Sequence, residues 1–287
     1  MRFHPGPAAA GLLFLGFAVW AGASVAQGDP KRGEYLAKAG GCLGCHTEAG
    51  DKAVPYAGGR ALETPFGTFY GPNITPHPES GIGRWKETDF VHAMREGRRP
   101  DGAHYFPAFP YPSFTRITDA DLRDLWAYLR SLKADARASR SHELGFLYRW
   151  RFLVGFWKWL YFEPGPFAPN PAASEVLNRG AYLVRALGHC GECHTARTWL
   201  GGPKEERFLA GAPGDDGAPN LTPARMKKWN DAELKDFLSS GLTPDGDVTG
   251  ETMGEVIRNT TSQLTSADLD AVVAYLRSLP ALPGEPK

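Results

Sequence analysis

The chain has 287 residues, 42% of them hydrophobic, with 32 lysines and arginines set against 32 aspartates and glutamates. A formal charge of zero argues against a nucleic-acid partner and gives no electrostatic clue to any other. The length accommodates two domains of about 100 residues and a connector, and 34 glycines with 24 prolines suit small loop-wrapped domains better than one large apolar core.

Residues 1–26 read as a secretory signal peptide. Arg2 supplies a positive start, residues 8–20 a short apolar stretch, and Ser24-Val25-Ala26 small residues for cleavage after Ala26. The stretch is shorter than the roughly 20 residues of a membrane span. Export with cleavage is therefore expected in place of a retained anchor.

Residues 27–135 form a first module, expected to be mostly helical. A first helix carrying Arg32-Gly33-Glu34-Tyr35-Leu36 runs into Cys42-Leu43-Gly44-Cys45-His46. Loops rich in Gly and Pro come next, among them Gly71-Pro72-Asn73-Ile74-Thr75. Leu122, Leu125, Trp126, Leu129 and Leu132 recur at helical spacing and mark a final helix. Thr118 with Asp121 resembles a capping box at its start. No segment alternates in the sustained way that argues for a sheet.

Residues 136–172 form a connector. Between 141 and 162 it holds nine aromatic residues: Phe146, Tyr148, Trp150, Phe152, Phe156, Trp157, Trp159, Tyr161 and Phe162. Arg149, Arg151 and Lys158 interrupt them, which argues against a transmembrane span. Pro164-Gly165-Pro166 ends the stretch. Two readings stay open. The aromatics pack against both modules, which is favoured because it fixes their separation, or an amphipathic face lies in a membrane interface.

Residues 173–287 repeat the first module. Arg179-Gly180-Ala181-Tyr182-Leu183 matches the segment at Arg32, Ala218-Pro219-Asn220-Leu221-Thr222 matches the Pro72 loop, and Trp229 matches Trp85. Pro244-Asp245-Gly246 matches Pro100-Asp101-Gly102, and residues 274–279 are identical to 127–132. Leu269, Val272, Val273, Leu276 and Leu279 mark the second final helix, with Thr265 and Asp268 at its start.

Each module holds one Cys-x-x-Cys-His, at Cys42–His46 and at Cys190-Gly191-Glu192-Cys193-His194. This is the attachment signal for c-type haem: two thiols add across the vinyl groups and the histidine supplies the proximal iron ligand. A zinc knuckle wants a second pair close by in the same domain, and a redox dithiol does not need the histidine. The two motifs use all four cysteines. Two covalently bound haem c groups are expected, on Cys42, Cys45, Cys190 and Cys193, with His46 and His194 on the irons. Haem c is attached outside the bacterial cytoplasm, which agrees with export and points to the periplasm, with the outer face of the cytoplasmic membrane as the site of any peripheral membrane contact.

With an N-terminal helix, Cys-x-x-Cys-His, a Gly-Pro-Asn loop, a late methionine and a C-terminal helix, each module resembles class I cytochrome c. The resemblance implies an all-α protein of two tandem class I cytochrome c domains joined by an aromatic-rich connector. It also implies that the carbonyls of Pro72 and Pro219 accept the N–H of His46 and His194, fixing each imidazole. Most of the chain further resembles the cytochrome c subunits of bacterial membrane-bound alcohol, gluconate and sorbitol dehydrogenases. The matching stretches include Gly81-Ile82-Gly83-Arg84-Trp85, Ala93-Met94-Arg95-Glu96-Gly97, Asp101-Gly102-Ala103-His104-Tyr105-Phe106-Pro107-Ala108 and Gly188 through the second motif to Thr195. Those subunits carry three haem modules; this chain carries two.

The sixth ligands are expected to differ. Met253 is the methionine between the Asn220 loop and the last helix, whereas Met226 precedes Trp229 and is early for that role. Met253 is assigned to the second iron, where a thioether raises the potential. From Trp85/Trp229 to Asp101/Asp245 the modules align without a gap, and in that frame Met253 falls on Phe109. A phenyl ring cannot ligate iron. The first haem is then five-coordinate, or ligated by His104 after a loop shift, or by Met94 or His77.

These features point to an electron-transfer protein without catalytic residues of its own. It accepts electrons from a periplasmic or membrane-bound dehydrogenase and passes them to a terminal oxidase or another cytochrome. The alternative is a peroxidase-like dihaem enzyme with an open first haem and His104 as its acid–base group.

Overall fold

Asp29 starts the first helix. Its carboxylate accepts from the backbone N–H groups of Lys31 and Arg32, and Pro30 takes the first turn, where no N–H is missed. The structure, a computed structural model, describes Met1 and residues 28–214 and 217–284. The signal peptide expected at 1–26 lies outside the described residues apart from Met1. The first module contains α1 (Pro30–Ala39), α2 (Cys42–His46), β1 (Ala61–Thr64), β2 (Gly67–Tyr70), α3 (Glu87–Glu96), α4 (Tyr111–Phe114) and α5 (Asp119–Ser131). The connector adds β3 (Glu143–Leu144) and α6 (Phe152–Tyr161). The second module contains α7 (Glu175–Tyr182), α8 (Gly191–His194), α9 (Pro223–Met226), α10 (Asp231–Ser240), α11 (Glu251–Asn259) and α12 (Ser266–Ser278).

Each module is built on one crossing of its first and last helices, α1 over α5 and α7 over α12. Gly33 and Gly180 sit at the two crossings. A Cβ on Gly33 would stand 1.9 Å from the Asp124 carbonyl oxygen, and one on Gly180 2.0 Å from that of Ala271. Only a bare backbone lets the helices approach this closely. Leu36, Leu122, Leu125 and Leu129 fill the interior of the first module, and Leu183, Leu269, Val273 and Leu276 that of the second.

The repeat is not perfect, and the structure shows where the difference goes. Tyr35 and Tyr182 are 147 residues apart, Cys42 and Cys190 148 apart, so the second module has one extra residue before its motif. Helix α7 absorbs it by running on into a π turn over Leu183–Leu187. A π turn lets a helix take in one extra residue and still deliver the next segment in register.

Two expectations need correction. The chain is mostly helical but not all-α, because β1, β2 and β3 form an antiparallel sheet in that order. Strands of four, four and two residues are too short for a period-2 pattern to register. The capping boxes are also incomplete. Thr118 and Thr265 do accept from the backbone N–H of Asp121 and Asp268. The return bond from carboxylate to cap N–H is replaced by a tyrosine from the other module. Tyr182 accepts from the Thr118 N–H at 3.2 Å and donates to Asp121, while Tyr35 accepts from the Thr265 N–H at 3.2 Å and donates to Asp268. Within its own module Arg32 pairs with Asp121 and Asp124, and Arg179 with Asp268. The modules therefore hold each other through two reciprocal clasps related by the repeat.

The connector packs on both modules through its inner face. Lys158 Nζ donates to the Gly97 carbonyl at 2.9 Å and lies 4.5 Å from the Tyr111 ring centroid. Burial pushes this ammonium down to about 8, and Arg98 adds to the effect. On the second module, Trp157 Nε1 donates to the Leu200 carbonyl at 3.1 Å, and the Tyr161 ring fills the space left by Gly202. The outer face of α6 stays uncovered: Phe152, Phe156 and Trp159 are exposed, the last by 77%. Among the described residues no helix is long and apolar enough to cross a membrane.

Candidate functional site

Helix α2 is little more than one turn. Gly41, at φ 63°, starts it in the left-handed region, and Cys42 and Cys45, three residues apart, share a face. Helix α8 repeats the arrangement, but the residue before Cys190 is His189, which holds φ 40° without being glycine. Burial pushes Cys42 and Cys190 up to about 12.

Both proximal histidines are held as the resemblance implies. His46 Nδ1 lies 2.7 Å from the Pro72 carbonyl oxygen and His194 Nδ1 2.7 Å from that of Pro219. A carbonyl only accepts, so Nδ1 carries the proton and Nε2 keeps its lone pair for a metal. Burial lowers the pKa of both imidazoles and the proline carbonyls oppose it in part, so the neutral, ligating form is favoured.

The proline loops are fastened by residues that carry no motif of their own. Asn73 is buried; its amide donates to the carbonyls of Asp135 and Arg137 at 2.9 Å, and its oxygen accepts from Thr75. Asn220 does the same with Leu282 and Thr222. Each asparagine ties the loop behind the histidine to the chain leaving the last helix. Their recurrence at one place in both modules was the available signal.

Met253 is the third residue of α11, half-buried against the second module's core. Phe109 is half-buried against the first. Its ring meets Tyr105 and Phe114 at centroid distances of 5.3 and 5.8 Å. The structure gives the other residues considered for the first iron different surroundings. His104 stands against α6, where a Cβ on Gly155 would meet its Nε2 at 3.2 Å, and Arg151 binds its carbonyl. Met94 is buried on α3 within the core, and Met226 is buried in the second module. His77 accepts from the backbone of Glu79 and Ser80 in its own loop.

The two motifs meet at the module interface. The His189 ring packs edge-on against Phe114 of the first module at 5.4 Å. Ser113 donates to Glu192, inside the second motif, at 2.8 Å. Arg60 pairs with Glu255 of α11 at 2.6 Å, and Glu255 also borders Gly44 in the first motif. Burial raises the Cys45 pKa, and Glu255 and Cys193 of the other module add to the rise. The attachment sites therefore lie side by side.

Paired thiols on one turn, an imidazole anchored through Nδ1 and an apolar interior beyond it fit a covalently attached haem in each module. The model of the cytochrome c family matches residues 30–133 and again 177–280. The chain belongs to the cytochrome c family. It carries two haem c groups, which Cys42, Cys45 and His46 and Cys190, Cys193 and His194 would hold. A diheme cytochrome c-type of Cereibacter sphaeroides is 43% identical over 261 residues, covering 89% of this cytochrome and 87% of the relative. The fructose dehydrogenase cytochrome subunit of Gluconobacter japonicus is 39% identical over 265 residues, covering 90% and 54%. The cytochrome c subunit of the quinone-type alcohol dehydrogenase of Gluconacetobacter polyoxogenes is 36% identical over 290 residues, covering 93% and 60%. This cytochrome thus spans little more than half the length of the two dehydrogenase subunits. It is an electron-transfer protein.

Proposed function

We propose that this cytochrome accepts electrons in the periplasm from a dehydrogenase and delivers them to a terminal oxidase or another cytochrome. The observation that carries the reading is that both attachment sites border the interface between the two modules. A haem supplies a one-electron iron couple when bound. The chain's own contribution is to hold two such groups in adjacent modules, anchor each imidazole through Pro72 or Pro219, and keep the interior apolar. The tyrosine clasps and α6 fix one module against the other, which keeps the separation of the two sites constant. The dehydrogenase subunits among the relatives support that class of donor, and the expected signal peptide supports export. Held against α6, His104 lends no support to a peroxidase-like acid–base role.

The test is reduction of purified holoprotein, with two haems confirmed per chain, by membrane fractions of the parent cells supplied in turn with alcohols, sugars and sugar acids. Reduction with at least one substrate class is expected. No reduction with any of them, or steady consumption of hydrogen peroxide by the reduced protein, overturns the reading.

The outer face of α6 is the natural place for peripheral membrane contact. Residues 144–162 contain no aspartate or glutamate, and the exposed Arg149 lies beside the exposed Phe146. Aromatic rings with cationic neighbours suit an anionic lipid surface. Holoprotein should co-sediment with vesicles containing phosphatidylglycerol, and the variant F152S/F156S/W159S should stay in the supernatant. Equal sedimentation of variant and parent would remove this contact from the proposal.

A further inference from the structure

The two modules differ most where the second presents a thioether. In the ungapped frame running from Trp85 and Trp229, Met253 corresponds to Phe109. Both side chains are half-buried against the core of their own module, Phe109 from a turn and Met253 from α11, and their chemistry differs. A thioether has a lone pair for iron and a phenyl ring has none.

The Phe109 loop is held in place. Pro107 and Pro110 flank the residue, its N–H donates to the Phe106 carbonyl at 3.0 Å, and its carbonyl accepts from Tyr111 at 2.7 Å. The rings of Tyr105 and Phe114 close on it from two directions. A loop shift that brings in another donor would have to break this cluster.

The other candidate donors of the first module have surroundings of their own. The backbone of His104 is fixed by the bond from Arg151 to its carbonyl and by a main-chain bridge to Arg98, and its ring is turned against Gly155 of α6 with Nδ1 buried and unpartnered among the described residues. His142 accepts the Tyr70 N–H at 3.1 Å and is gripped edge-on by Phe69 and Phe106. His77 serves its own loop, His92 lies on the exposed face of α3, and Met94 is enclosed in the core.

We propose that the first haem is open on the side of Phe109 and takes a small neutral diatomic ligand, of the class of carbon monoxide, nitric oxide and dioxygen. The Phe109 and Phe114 rings and the face of Tyr105 make the surface there mostly apolar, with one phenol, which favours a neutral ligand over an anion. The ligand binds by donating a lone pair to iron, with no change in the electron count of either haem. This rests on the dihaem reading, and haem content measured on the same sample separates failure of one from failure of the other.

The experiment uses holoprotein with two haems per chain, reduced anaerobically and titrated with carbon monoxide. One equivalent per chain is expected to bind, with the spectrum of the second haem unchanged. The oxidised protein should show one high-spin and one low-spin ferric haem. F109M should abolish carbon monoxide binding and convert the first haem to low-spin. F109L, which changes packing without adding a donor, should retain it, and so should H104A. Two low-spin haems and no binding in the native protein overturn the proposal, as does binding of two equivalents. Should F109M fail to fold, the native spin states and stoichiometry still decide.

Discussion

Replacing Tyr182 by phenylalanine is expected to destabilise the holoprotein by about 1–3 kcal/mol, the cost of leaving buried polar groups unpaired. Two bonds are lost together: the Thr118 N–H that opens α5 is orphaned, and the Asp121 carboxylate loses the phenol and keeps only Arg32. Tyr182 is buried, so water reaches neither easily. Tyr35→Phe removes the corresponding bonds at Thr265 and Asp268, where Arg179 still pairs with the carboxylate. Its cost should fall at the lower end of the range, since Tyr35 is only half-buried and water can substitute. Guanidinium unfolding of the two single variants and the double variant measures this. A loss below about 0.5 kcal/mol for Tyr182→Phe, the size of an ordinary surface change, would mean that the clasps are incidental contacts.

The second clasp also carries a pH signature. Burial alone would raise the Asp268 pKa, but hydrogen bonds from Arg179 and Tyr35 outweigh it and hold the carboxyl below its ordinary 3.8. A depressed carboxylate stabilises the fold above its unfolded pKa and loses that contribution as pH falls through its folded value. Acid should therefore weaken this clasp below about pH 3.8. Tyr35→Phe should shrink the pH-dependent part, because it removes one of the two donor side chains that depress the pKa.

The clasp shows what the sequence made legible and what it did not. Thr118/Asp121 and Thr265/Asp268 have the spacing of a cap, and they do cap. Nothing local reveals that the return bond is broken open by a residue from the other half of the chain, because that depends on how the modules dock. The haem ligands were legible because attachment chemistry demands cysteines and a histidine at fixed spacing. The proline carbonyls were reached through the resemblance, and the buried asparagines that hold them went without a role although they repeat. The sheet escaped because its strands are too short for a two-residue alternation to stand out. The π turn could have been inferred from the change of offset between Tyr35/Tyr182 and Cys42/Cys190, which the alignment of the halves contains.

Met253→Leu is expected to lower the potential of the second haem by on the order of 0.1 V or more, given that axial ligation spans about 0.8 V among haem proteins. Leucine fills a similar volume and should cost under about 1.5 kcal/mol in packing, so the change reads the lost thioether and not a lost fold. Met226→Leu is the control: Met226 is buried near the end of α9, and its contact with Arg277 is made by the backbone carbonyl, which the substitution keeps. A second readout ties the two modules together. With its thioether gone, the second site should come to resemble the first, and the reduced variant should bind two equivalents of carbon monoxide where the parent binds one. If Met253→Leu changes neither potential nor stoichiometry, Met253 is not a ligand. The frame that equates it with Phe109 would then have no chemical meaning, and the open first site would lose its foundation along with the assignment of the second. Potentiometry and one gas titration on the same pair of proteins therefore test both irons at once.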